Sequence, residues 1–303
     1  MRNRLKNWLT KAVGNNVFWG IVKPIALFGV HCQNSRNSLA EKKNAQTNTN
    51  YFNSDQVLNG PFKGMNYPVF EAVGSSYHPK ILGSYEAELW GAMEYLKTKS
   101  FDAIFDIGCA EGYYANGLAK NFPDTPVYAY DIDSKAQELC LQIAAANNLQ
   151  NLSVYGEAQP QSLAENIAPK KALVVSDCEG FEKELFTQEF ARAYSKTYLV
   201  IEMHDFMNLT ISDELKISFS DSHWLISIFS IDDLDKLKRY QFSELTSFDK
   251  TQKHQLIREG RPGKMEWLIG IPKSECTDEE VCSLLAKLDP FNLQLEIKRS
   301  NES

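Results

Sequence analysis

"FDAIFDIGCAEGYYA", residues 101–115, is the stretch whose reading decides the fold. A short apolar run, "DAIFDI", carries Asp106 near its end and gives way to a turn bearing Gly108 and Gly112. Helix-compatible sequence follows at once, with Tyr114, Leu118 and Phe122 recurring at four-residue spacing. A strand that runs through a glycine turn into a helix opens a strand–helix–strand unit. In open α/β sheets, ligands bind at the carboxyl ends of such strands. Glycine lets the backbone approach a ligand closely, and the start of the helix aims unpaired N–H groups at it.

The alternation continues along the chain. "PVYAYD" reads as a second strand, "SKAQELCLQIAAANN" as a helix with Ala136, Leu139, Ile143 and Ala144 inward, and "NLSVYG" as a third strand. "KALVVSD" and "TYLVIEM" are apolar enough for burial on both faces, with the helical-looking "GFEKELFTQEFARAYSK" between them. "HWLISIFS" and "MEWLIGIP" add two more strands, the last placed to run antiparallel to its neighbour. The implied fold is α/β and Rossmann-like: a mostly parallel seven-stranded sheet, helices on both faces, and an antiparallel last strand. Upstream, Ser84 stands where it can cap a helix that places Leu89, Ala92, Met93 and Leu96 on one face. Downstream, Thr277 and Glu280 have capping-box spacing, and Pro290 ends that helix.

Four segments follow from these patterns. Residues 1–56 are a basic and apolar start followed by a polar linker, and 57–99 are a cap loop and helix. Residues 100–273 are the ligand-binding sheet domain, and 274–303 a terminal helix and tail. Within residues 1–30, Arg2, Arg4, Lys6 and Lys11 precede an apolar stretch that Lys23 and Pro24 interrupt, too short to span a bilayer. Such a segment suits peripheral membrane contact, or a helix packed on the domain.

The 303 residues are 43% hydrophobic and 23% charged, the balance of a soluble protein with a real core, and the formal net charge of −7 argues against nucleic acid as partner. The six cysteines form no CxxC pair, which argues against zinc and for a reducing, cytoplasmic compartment. Cys109 and Cys178 read as small buried apolar residues.

The turn departs from both phosphate-binding fingerprints. Its spacing is G-x-x-x-G rather than G-x-G-x-x-G, and Tyr113 follows Gly112 where a P-loop needs lysine. Glu111 reads as a carboxylate that would repel a pyrophosphate. Asp131, at the end of the second strand, is placed to accept both hydroxyls of a ribose. An adenosine cofactor without a phosphate suits these acids better than a dinucleotide, and S-adenosylmethionine is such a cofactor, its amino group meeting the acids near Asp106.

"DIGCAEGYYANGLA", "VYAYDID", "SDCEGFE" and "VIEMHDF" together resemble the class I S-adenosylmethionine-dependent methyltransferases, and look like the FkbM-type branch. The D-x-E-G-x-E signature of that branch is matched by Asp177, Glu179, Gly180 and Glu182, and the likeness covers roughly residues 100–272. It implies a Rossmann-like methyltransferase fold. It also implies contacts to S-adenosylmethionine from Asp106, Gly108, Ala110, Glu111, Gly112, Asp131, Ile132 and Glu157. Ala110 departs from the pattern, since many relatives carry glycine there. The implied activity is O-methylation of a small-molecule or glycan acceptor, in glycan or polysaccharide biosynthesis.

A sugar hydroxyl is a poor nucleophile, so a base or a metal must help. His204 is the expected general base, with Asp177 and Glu179 beside it; Asp177, Glu202 and Asp205 could hold Mg2+ through hard oxygen ligands. Arg239, Arg258, Arg261 and Lys264 stand where they could greet an anionic acceptor. Two other readings stay open at this point: an NAD-dependent oxidoreductase on the same sheet, and a catalytically silent methyltransferase-like binding module. Homo-oligomerisation is compatible with the sequence.

Overall fold

A computed structural model describes residues 51, 52, 54–261, 263–288 and 293–295. Every described residue belongs to the unit Thr49–Ser303. The basic and apolar residues 1–30, and most of the polar linker, lie outside the described residues.

Seven strands are β1 (Ala103–Ile107), β2 (Val127–Tyr130), β3 (Leu152–Tyr155), β4 (Ala172–Ser176), β5 (Tyr198–Met203), β6 (His223–Phe229) and β7 (Glu266–Pro272). They lie in the order β3-β2-β1-β4-β5-β7-β6, and a short β8 (Leu293–Leu295) extends the sheet beyond β6. β1 to β5 pair in parallel, while β7 runs antiparallel to both β5 and β6. This is the mostly parallel seven-stranded architecture expected from the sequence, with an eighth strand added past Pro290. β1, β4 and β5 are buried at every position, which is why they read as unbroken apolar runs. Each such Val, Leu or Ile contributes roughly 1.5–3 kcal/mol of burial.

The helices that matter for the site are α1 (Tyr77–Leu82), α2 (Trp90–Leu96), α3 (Tyr113–Asn121), α4 (Ser134–Ala146), α5 (Pro160–Ile167), α6 (Glu182–Leu185) and α7 (Ile211–Phe219). Ala136, Leu139, Ile143 and Ala144 of α4 are buried as the spacing predicts. The terminal helix, Asp278–Leu285, carries the expected Thr277–Glu280 capping box.

Two expectations fail. Ser84 caps no helix: it follows Gly83, the left-handed residue that ends α1, and its hydroxyl is buried without a partner. The chain then passes through Glu86 at φ 49° and a 3-10 turn before α2 begins at Trp90. Between β4 and β5 the expected long helix is only α6, and Phe186, Ala191 and Tyr194 enter the core from the turns that follow it.

Residues 61–66 pack along α3 and the end of α4, while Val73, Lys80 and Tyr85 reach the tips of β1 and β2. Asn66 and Asn147 exchange backbone and side-chain hydrogen bonds at 2.7–2.8 Å, and Phe62 meets Tyr113 edge-on at 5.2 Å. Among the described residues, no helix is long and apolar enough to cross a membrane.

Candidate active site

The turn after β1 is tied to β2 by backbone. The N–H groups of Gly108 and Cys109 both donate to the Tyr130 carbonyl, at 2.9 and 3.0 Å. Asp131 continues the tie: one carboxylate oxygen accepts from the Ala110 N–H and the other from the Asp133 N–H, each at 2.8 Å. The Asp131 carboxylate is therefore held in one orientation while keeping lone pairs for a ligand. Ala110 adopts φ 47°, the left-handed region that suits glycine, which explains why a glycine is common at this place in the pattern.

A cavity of about 450 Å³ opens over these tips, within the size range of small-molecule sites. Asp106, Gly108, Ala110, Asp131, Ile132 and Glu157 line it, joined by Asp177 and Glu179 from the end of β4. Ile132 is 82% exposed and forms an apolar lip beside Asp131. Asp106 is 3% exposed, with one carboxylate oxygen lacking any partner. Burial pushes its pKa up to about 8. A ligand ammonium there would satisfy the orphaned oxygen and favour the charged carboxylate.

A pH dependence follows from that raised pKa. In the free protein Asp106 keeps its proton up to about pH 8, and an ammonium-bearing ligand needs the ionised form. Affinity for S-adenosylhomocysteine should rise by more than about tenfold between pH 6 and pH 8. Asp106→Asn should flatten the profile. Titration calorimetry across that range checks this, and an affinity that is flat or falls with pH in the unaltered protein contradicts it.

Two residues of the turn face elsewhere. Glu111 is fully buried and does not line the cavity: it accepts from Tyr67 Oη at 2.5 Å and the Val73 N–H at 2.8 Å, and pairs with Lys80. Its charge is neutralised by the cap, so it neither contacts a cofactor nor repels a pyrophosphate, contrary to the sequence reading. Gly112 is also off the cavity. A Cβ there would lie 2.4 Å from Cys140 Sγ and 2.5 Å from Asn116 Nδ2, so this glycine serves the packing of α3 on α4. Gly108 does line the cavity, yet its missing side chain is demanded by protein. A Cβ would sit 1.8 Å from the Asp177 carbonyl oxygen.

A second, smaller cavity of about 110 Å³ adjoins the first, sharing Ser75, Tyr85, Asp177 and Glu179 and adding Glu86, Glu202, His204 and Arg261. His204, at the end of β5, is 2% exposed and ringed by carboxylates. Its Nδ1 lies 2.9 Å from Glu182 Oε1, and its Nε2 3.3 Å from Asp177, 3.6 Å from Glu202 and 3.8 Å from Glu179. Burial alone would lower its pKa, but hydrogen bonds to Asp177 and Glu182 outweigh that and raise it to about 11. His204 is thus an imidazolium at neutral pH and has no free lone pair with which to act as general base. Its charge acts on Asp177, holding that carboxyl below the usual range against the opposing effect of burial. Burial and the Asp177 charge push the Glu202 carboxyl well above the usual range.

Asp205 does not join this group. It accepts from Ser212 N at 2.9 Å and Ser212 Oγ at 2.6 Å, at the start of α7. Two sets do bring three ligand atoms within 4.8 Å of one another: Asp177, Glu179 and His204, and Glu86, Asp177 and Glu202. Arg261 is likewise unavailable to an anionic acceptor, because it is paired with Glu88 at 3.0 Å, with Glu259 at 2.7 Å, and with Glu86 and Glu202 at 3.5 Å. Reading the sequence missed Lys80, Tyr85 and Glu86, which reach the site from the cap. A buried lysine and acid in "SSYHPKILGSYEAELW" were the available signal.

No protein-family model matches the chain, and no curated protein matches it. Solved structures to which it bears a likeness include the O-methyltransferase TomG from Streptomyces achromogenes, involved in tomaymycin synthesis and in complex with SAM. That likeness has 10% identity, covers 62% of this chain and 80% of that one, and has a TM-score of 0.41. Precorrin-6y C5,15-methyltransferase from Geobacter metallireducens GS-15 has 10% identity over 59% and 85% of the two chains, with a TM-score of 0.36. TrmN from Thermus thermophilus has 15% identity over 64% and 52%, with a TM-score of 0.38. Likenesses of this size say nothing of substrate or mechanism, which rest on the site itself.

Proposed function

We propose that the chain is an S-adenosylmethionine-dependent methyltransferase that methylates a hydroxyl of a sugar or glycan acceptor, in the manner of the FkbM-type branch it resembles. The observation that carries this reading is the acidic cavity at the β1 and β2 tips. Asp106 keeps one carboxylate oxygen unpartnered, Asp131 is held in place by the Ala110 N–H, and the one lysine on the described lining is paired with Glu111. A diphosphate would face Asp106, Asp131, Glu157, Asp177 and Glu179 with Lys80 as the one cation on the described lining, whereas a sulfonium-bearing adenosine is favoured. When bound, the cofactor supplies an electrophilic methyl group.

The chain's own residues supply the rest. Asp106 takes the ammonium, Asp131 the ribose hydroxyls, and Ile132 and Glu157 border the base. Asp177, ionised and common to both cavities, accepts a hydrogen bond from the attacking hydroxyl, orients its oxygen, and takes its proton onto the carboxylate as the methyl group is transferred. His204 positions Asp177 and keeps it charged. Glu86 and Glu202 offer further acceptors to a polyhydroxylated ligand, and the same acids disfavour an anionic one. Glu86, Asp177 and Glu202 are also the hard-oxygen set that would hold Mg2+, with Asp205 excluded.

Incubation with radiolabelled S-adenosylmethionine and fractionated cell extract tests the function, run with and without a chelator to read the need for a metal. Label in a glycan fraction that survives mild alkali, as a methyl ether does and a methyl ester does not, is the expected result; label confined to protein or nucleic acid would overturn the acceptor assignment. Asp131→Ala should weaken S-adenosylhomocysteine binding about 100-fold, the loss of two charge-assisted hydrogen bonds. An affinity within about threefold of the unaltered protein would remove Asp131 from the ribose.

A further inference from the structure

Lys80 is 3% exposed, belongs to α1 of the cap, and lines the larger cavity. Among the described residues on that lining it is the one cationic side chain. An ammonium has three donors, and Glu111 takes one of them. Glu111 does not depend on Lys80 alone, because Tyr67 Oη and the Val73 N–H also donate to it. The rest of the Lys80 head faces aromatic rings, 4.8 Å from the Tyr85 centroid and 5.7 Å from that of Tyr113. Asp106, with its orphaned oxygen, lies close enough for the two charges to influence each other. One end of the cavity thus presents a buried acceptor that wants a cation and a buried ammonium with donors to spare.

We infer that Lys80 receives the carboxylate of the ligand's amino-acid end while Asp106 receives its ammonium, so that this end of the cavity reads a zwitterion. The inference rests on the S-adenosyl reading of the cavity and adds a residue from outside the sheet domain. It has a structural consequence. Glu111 fastens the cap through Tyr67, Val73 and Lys80, so a carboxylate on Lys80 bonds the ligand to the cap itself. Ligand binding should therefore order residues 67–85.

Calorimetry on the intact chain with three probes tests this: S-adenosylhomocysteine, its decarboxylated analogue that keeps the amine, and 5′-methylthioadenosine, which lacks both groups. The decarboxylated analogue should bind about 10–100-fold more weakly than S-adenosylhomocysteine, the loss of a charge-assisted pair. In Lys80→Met the two should bind within about threefold of each other, because the variant removes the partner that distinguishes them. Amide exchange over residues 67–85 should slow with S-adenosylhomocysteine and not with 5′-methylthioadenosine. Equal affinity of the first two probes in the unaltered protein overturns the Lys80 assignment, and this arm needs no variant to fold. Failure of all three probes to bind overturns the S-adenosyl reading, and with it the inference.

Discussion

Gly108→Ala should destabilise the protein by about 3 kcal/mol or more and lower its Tm by roughly 6–12 °C. The reason is a contact between two strand tips. At Gly108 a methyl group would sit 1.8 Å from the Asp177 carbonyl oxygen and 2.6 Å from its carbon, both backbone atoms that no rotamer change can move. The backbone there is also left-handed, φ +76°, which adds about 1–2 kcal/mol for any residue with a Cβ. Relief requires the β1 turn to part from the β4 end, which separates Asp106 and Asp131 from Asp177. Cofactor affinity should therefore fall together with stability. Gly156→Ala is the control: no atom lies within 4 Å of its Cβ, so stability should stay within about 0.5 kcal/mol. Thermal denaturation of both variants decides it, and equal melting temperatures for the two would contradict the close approach.

His204→Gln should cost about 3–5 kcal/mol near pH 6, because it removes the cation from a buried group of acids. Glu182, fully buried, would keep its two backbone donors, Cys178 N and Gly180 N, but lose the imidazolium. The pH dependence has a definite sign. The histidine pKa is raised from 6.5 to about 11 on folding, so its stabilisation is complete below about pH 6.5 and fades as pH climbs through about 11. The stability gap between the unaltered protein and the variant should shrink steadily over that window. Denaturant titrations at pH 6, 8 and 10 measure it. A gap that is constant, or that widens with pH, would show a neutral histidine and revive its role as general base.

The sheet was legible because burial on both faces makes β1, β4 and β5 mostly apolar, and because the Gly108 turn follows β1 directly. The direction of a side chain in a turn was not. Glu111 sits between residues that line the cavity, yet its orientation is decided by Tyr67, 44 residues upstream, and Lys80, 31 upstream. The protonation of His204 was hidden for the same reason. A histidine after a strand suggests a base, and only the convergence of the β4 and β5 loops surrounds it with acids. Asp177 and Glu202, placed together by the parallel pairing of β4 with β5, were within reach of sequence reasoning. Glu86 was not, since it enters from a cap whose path depends on the left-handed Gly83 and Glu86 rather than on a continuous helix. The terminal helix was readable to its capping box, whereas β8 lies beyond the proline that closes that pattern.

The direct measurement is titration calorimetry of the intact chain at pH 8 with S-adenosylhomocysteine and, separately, with NADH. One-to-one binding of S-adenosylhomocysteine, with no heat from NADH, is the outcome predicted for an acidic cavity that takes an adenosine without phosphates. Binding of NADH in place of S-adenosylhomocysteine would contradict it.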